Sequence, residues 1–144
     1  SHPEFSLRTI SEDAIGNYAK ELTVEQVELL HGTIKNRDIT MQAKEAFNKT
    51  TLDHRRVGTL MNDHQEVLRE TLKISTPKID RMIGAALRAG AFGAKINGSG
   101  GGGCMFAYAP ESPQQVKQAI EKEGGEGYIV TVDEGTHSSV TEVA

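Results

Sequence analysis

The sequence has no tryptophan, a single cysteine and few aromatic residues, 5% in all. With so little aromatic bulk, a core must be built from aliphatic side chains and alanine. One cysteine, Cys104, cannot close an internal disulfide, so a disulfide-stapled scaffold is excluded and a reducing compartment, the cytoplasm, is expected. No apolar run is long enough to cross a membrane as a helix, and no stretch carries the pattern of a secretory signal. Basic residues form no block: 16 Lys and Arg stand against 20 Asp and Glu, for a net charge of −4. That balance argues against nucleic acid as a partner. No His, Cys, Asp or Glu group has transition-metal spacing, so no metal ligands are expected.

What the chain has is glycine. Gly98-Ser99-Gly100-Gly101-Gly102-Gly103 follows the apolar run Phe92 to Asn97 and precedes another, Cys104 to Ala109. A hairpin tip needs one or two glycines to reach positive φ. A denser run suits a backbone that approaches something closely, with bare N–H groups able to form an anion-binding concavity. A plain flexible hairpin is the competing reading.

The 144 residues are expected to form one domain, long enough to hide roughly two thirds of its unfolded surface. Ile10 to Leu22 is weakly periodic and predicts a short helix or loop. Thr23 with Gln26 is a capping box, followed by a stripe through Val24, Val27, Leu30, Ile34, Ile39, Ala43, Ala46 and Phe47, weakened at Gly32. A second helix is expected from about Leu52 to Leu72, with Val57, Leu60, Met61, His64 and Leu68 on one face. Thr76-Pro77 opens a third, with Ile79, Met82, Ile83, Ala86 and Leu87 inward and Gly90 ending it. After the glycine loop, Ser112-Pro113 restarts a helix that Gly124-Gly125 stops. Tyr128 to Val132, rich in β-branched residues, predicts a third strand closed by Asp133-Glu134-Gly135. Strands joined by a tight loop pair antiparallel with helices over one face, which is an α+β arrangement.

The run Gly93-Ala94-Lys95-Ile96-Asn97-Gly98-Ser99-Gly100-Gly101-Gly102-Gly103-Cys104 resembles the third motif of the GHMP kinase superfamily. Three flanking segments resemble galactokinases in the same order: Asn36-Arg37-Asp38-Ile39-Thr40, then Gly58-Thr59-Leu60-Met61-Asn62-Asp63-His64, similar to Leu-Met-Asn-x-x-His, then Ser75-Thr76-Pro77-Lys78-Ile79-Asp80. The likeness runs from about Thr23 to Gly135. It implies a ferredoxin-like antiparallel sheet with helices packed on one face, the C-terminal domain of this superfamily, over residues 6–135. Residues 1–5 read as the remnant of a tag and cloning site, and 136–144 as a mobile tail. It further implies an ATP-dependent kinase, galactokinase-type before mevalonate kinase, phosphorylating a small sugar. ATP and Mg²⁺ serve the full-length parent, and none is expected in this fragment.

Gly98, Ser99, Gly100, Gly101, Gly102 and Gly103 would lie beside the nucleotide phosphates. The family's upstream Pro-x-x-x-Gly-Leu-x-Ser-Ser-Ala loop and its catalytic Asp find no match here. The fragment is therefore expected to lack a catalytic residue, to be inactive alone, to miss an N-terminal domain, and to self-associate. A non-catalytic sugar sensor and a free-standing binding module of the same fold are the alternatives. Of single residues, Cys104 reads as a small apolar strand residue, His64 as a hydrogen-bonded core histidine, Lys95 as solvent-directed, and Arg37 as either a surface cation or a structural ion pair.

Overall fold

A computed structural model describes residues 5–135. The residues read as a tag remnant (but for Phe5) and the tail from 136 onward lie outside the described residues. Two short 3-10 segments, Glu12–Asn17 and Ala19–Glu21, stand where a short helix or loop was expected. They lead into α1, Val24–Phe47. The capping box forms as expected: Thr23 Oγ1 accepts the Gln26 N–H at 3.2 Å and Gln26 Oε1 accepts the Thr23 N–H at 2.9 Å. Helix α2, His54–Glu66, is capped by Asp53 and ends in a π-helical turn, Val67–Thr71. Helix α3, Pro77–Arg88, starts at the Thr76 cap. Strands β1 (Gly93–Asn97) and β2 (Cys104–Tyr108) pair antiparallel, Ala94 opposite Ala107 and Ile96 opposite Met105, and α4 spans Pro113–Lys122.

Period-2 alternation places Ala94, Ile96, Met105 and Ala107 on one sheet face. There they pack with Ile79, Met82, Ile83 and Ala86 of α3 and Val116 of α4. Full burial of such aliphatic side chains stabilises by about 1.5–3 kcal/mol each, which makes this layer the main core. Smaller clusters form around Ile10, Ile15 and Ile34, and around Ile39, Leu60 and Val67.

The third strand does not form. Among the described residues the sheet has two strands, and Tyr128, Val130 and Val132 are exposed. β-branched composition favours extended backbone, but a strand also requires a neighbour to take its N–H and C=O groups, and no strand among the described residues pairs with this segment.

Helix α2 meets β1 edge-on. The carboxamide of Asn62 donates to Phe92 O at 3.1 Å and accepts the Ala94 N–H at 3.0 Å; Gln65 Oε1 accepts the Ile96 N–H at 2.9 Å. Two side-chain amides thus substitute for a neighbouring strand. Close approach depends on Gly58 and Gly93: a Cβ on Gly58 would lie 2.4 Å from Phe92 O, and one on Gly93 would lie 2.3 Å from Gly58 O.

Arg37 is structural. Its Nη1 donates to Leu7 O at 2.9 Å and Ile10 O at 2.7 Å, and its Nε donates to Asp38 at 2.7 Å. Hydrogen bonds to a charged donor contribute about 1.5–3 kcal/mol each when well shielded, and this site is partly shielded. We expect Arg37→Met to release residues 5–22 from α1 without unfolding the α3–β1–β2 core. Limited proteolysis checks it: new cleavage confined to that segment is the expected result.

Candidate functional site: the glycine loop

The hairpin turn between β1 and β2 is made by Gly98 to Gly103. Four successive residues, Gly100 (φ 80°), Gly101 (73°), Gly102 (133°) and Gly103 (80°), hold positive φ, as does Gly98 (89°). A side chain disfavours that backbone region, so this run of conformations requires glycine. One glycine also serves contact: a Cβ on Gly100 would lie 2.5 Å from Ile74 O. At Gly98, Gly101, Gly102 and Gly103 a Cβ would meet nothing within 4 Å, so the loop presents open backbone. The Gly101 N–H donates to Ile74 O at 2.7 Å, and among the described residues no other loop amide is taken by a backbone carbonyl. Ser99 is exposed with its hydroxyl free of any hydrogen bond among the described residues. The loop is thus pinned at one point, with several N–H donors left over.

The other residues weighed from sequence fall elsewhere. Lys95 is not solvent-directed: it is half-buried on the sheet face opposite the core, with Nζ donating to Ile96 O at 2.6 Å and lying 5.1 Å from the Phe106 ring centroid. Burial holds its pKa below the usual lysine value. His64, on α2, lines the same shallow apolar trough as Lys95, Phe106, Leu60 and Met61. Burial first, then the Lys95 charge, lowers its pKa from 6.5. It is not the hydrogen-bonded core histidine expected, since among the described residues it has no hydrogen-bond partner. Cys104 is exposed rather than crowded, its thiol facing Met105 O at 3.7 Å. A surface hollow of about 420 Å³, lined by Asp53, His54, Arg55, Phe92 and Glu111, opens at the far end of the hairpin from the loop. No His, Cys, Asp or Glu cluster able to hold a metal occurs among the described residues, and no described helix is long and apolar enough to cross a membrane.

The depressed His64 pKa gives a sign for pH dependence. Between the folded value and 6.5 the unfolded chain binds more protons than the folded one. Stability therefore rises with pH through that window and is lost as pH falls through it. We expect Lys95→Met to raise the His64 pKa by removing the like charge. An NMR titration of the imidazole reads it; an unchanged value would show that burial acts alone.

Sequence reading missed Gln65. It is the third residue after Asn62, the place the Leu-Met-Asn-x-x-His pattern gives to its final member, and it is 3% exposed while His64 is half-buried. The pattern's spacing was the available signal.

A family model described as "GHMP kinases C terminal" matches residues 43–126. The mevalonate kinase of Thermococcus onnurineus (strain NA1) is 48% identical over 80 residues, which are 55% of this chain and 24% of that protein. The mevalonate kinase of Pyrococcus horikoshii is 39% identical over 98 residues, 68% of this chain and 28% of that one. A galactokinase from Mannheimia succiniciproducens is 28% identical over 145 residues, covering 92% of this chain and 37% of its own. Among solved structures, L. major mevalonate kinase in complex with R-mevalonate superposes with a TM-score of 0.54 at 26% identity, over 80% of this chain and 34% of that one. The chain spans about a quarter of the length of the first mevalonate kinases it matches, 24% and 23%. With a family model covering more than half its residues, this chain belongs to the GHMP kinases and carries their C-terminal domain.

Proposed function

We propose that this chain is the C-terminal domain of an ATP-dependent kinase that phosphorylates mevalonate, and that it is inactive without the rest of that kinase. The observation that carries the reading is the glycine loop, with its free N–H donors and open space above the backbone. An open backbone of this kind suits a polyphosphate: bare N–H groups can donate to anionic oxygens, and no side chain blocks their approach. Phosphoryl transfer rests mainly on positioning and charge stabilisation. Gly98 to Gly103 would position the nucleotide phosphates, and Ser99 would add a hydroxyl donor. Mg²⁺ would arrive with ATP, held outside this chain's described residues. The group that orients or deprotonates the acceptor hydroxyl would come from an N-terminal domain, in the cytoplasm.

Mevalonate is favoured over galactose because the mevalonate kinases are the more identical relatives, at 48% against 28%. Galactokinase-type activity, the expectation from sequence, stands second on one observation: that weaker match extends over 92% of the chain. The outer edge of β2 pairs with no strand among the described residues, and an open edge templates association, so the isolated chain should self-associate at high concentration.

The deciding experiment is an ADP-release assay on the full-length protein with R-mevalonate and with galactose. Turnover of mevalonate is expected. Turnover of galactose alone would select the second reading, and turnover of neither would overturn the kinase reading. The 144-residue chain should release no ADP with either acceptor.

A further inference from the structure

The geometry points to Gln65 as the positioning residue of the glycine loop, a role whose kinetic consequence rests on the kinase reading above. Two hydrogen bonds set the loop's place in the fold, one on the strand that enters it and one within it. Its entry strand is held where Gln65 Oε1 accepts the Ile96 N–H at 2.9 Å. Its middle is held where the Gly101 N–H donates to Ile74 O at 2.7 Å. One carboxamide serves both, because Gln65 Nε2 donates to Ser75 Oγ at 3.3 Å and Ser75 Oγ donates to Asp80 Oδ1 at 2.6 Å.

The carbonyl of Ile74 and the N–H of Ser75 share one peptide plane. Fixing Ser75 therefore aims the carbonyl that receives Gly101. That linker is not held by regular structure. It follows the π turn Val67–Thr71, passes through Lys73 at φ 53°, and is otherwise tied by the Ile74 N–H to Leu68 O at 3.0 Å. Single π turns concentrate at functional sites, and a residue at positive φ persists only when its surroundings over-determine it. Gln65 is the sole polar residue among the buried ones described, at 3% exposure. A buried carboxamide is costly unless its groups are bonded. An apolar residue would fill the volume equally well but would leave the Ile96 N–H unsatisfied and the Ser75 peptide untethered.

Two variants separate this role from simple strand capping. Ser75→Ala cuts the relay to Ile74 and leaves the Gln65–Ile96 bond in place; Gln65→Met cuts both. Backbone amide exchange is measured in the 144-residue chain. We expect Gly101 to exchange about tenfold faster in Ser75→Ala, the scale of losing one net hydrogen bond, with the α3 core amide of Ala86 unchanged. In Gln65→Met both Ile96 and Gly101 should accelerate. If Gln65→Met does not fold, Ser75→Ala decides alone. An unchanged Gly101 rate in folded Ser75→Ala would overturn the proposal and leave Gln65 as a cap for β1.

In the full-length enzyme, Ser75→Ala should raise the KM for ATP and lower kcat, each about tenfold, with the KM for the acceptor unmoved. A uniform loss that tracks stability would count against a positioning role. Absence of kinase activity in the wild type would refute the kinase reading, while the exchange experiment would still decide whether Gln65 positions the loop.

Discussion

In the full-length protein, Gly102→Val should lower kcat about a hundredfold, the scale of displacing a positioned group by about an ångström. Gly102 holds φ 133°, and a Cβ there would meet no atom within 4 Å. The added Cβ therefore clashes with nothing among the described residues. Its cost is conformational: a β-branched residue leaves that region, and the N–H donors of the turn reorient with it. Strain of this kind amounts to about 1–3 kcal/mol and falls on an exposed turn, so the domain should stay folded. Lys117→Ala on α4 is the matched control. Its partner Glu121 lies 3.3 Å away and both side chains are more than a third exposed, so the pair is worth no more than a few tenths of a kcal/mol. Steady-state kinetics at matched thermal stability distinguish the two variants. A Gly102→Val enzyme with normal kcat and normal KM for ATP would reduce the loop to a hairpin turn.

Gly58→Ala should act on folding instead. A methyl at Gly58 would sit 2.4 Å from Phe92 O and 2.5 Å from its carbonyl carbon, and β1 answers with Gly93 against Gly58 O. Neither partner is the flexible end of a side chain, so relief requires moving α2 away from β1. That motion stretches the Asn62 and Gln65 bonds that satisfy the edge of β1. Overpacking alone costs about 1–3 kcal/mol, and the loss of edge bonds adds to it, so a drop of roughly 3 kcal/mol or more is expected. Gly84→Ala provides the contrast. Its Cβ would meet only Arg88 Nη1 at 3.1 Å, the end of a long side chain that can swing aside. Within a helix the exchange gains about 1 kcal/mol of propensity. Urea denaturation of the two alanine variants should therefore show opposite signs, and a Gly58→Ala midpoint equal to wild type would mean that α2 and β1 tolerate separation.

The local grammar of this chain was legible in its residues. Thr23 with Gln26, and Thr76 with Pro77, mark helix starts because a side-chain oxygen must satisfy the first free N–H groups wherever a helix begins. The glycine run marked the turn, because successive positive φ values admit little else. The likeness of four ordered segments pointed to the GHMP kinases, and the domain match bears that out. Tertiary structure decided the rest, since those features depend on partners distant in sequence. From sequence Arg37 reads as either a surface cation or a structural ion pair, and the carbonyls of Leu7 and Ile10 decide that it is structural. The strand propensity of Tyr128 to Val132 is intrinsic, but pairing is not, and no described neighbour supplies it. The motif's spacing singles out Gln65, but its composition and periodicity give no sign that it is buried. Only the docking of α2 against the edge of β1 turns its amide into a substitute strand, because the backbone groups of that edge must be satisfied from somewhere once water is excluded.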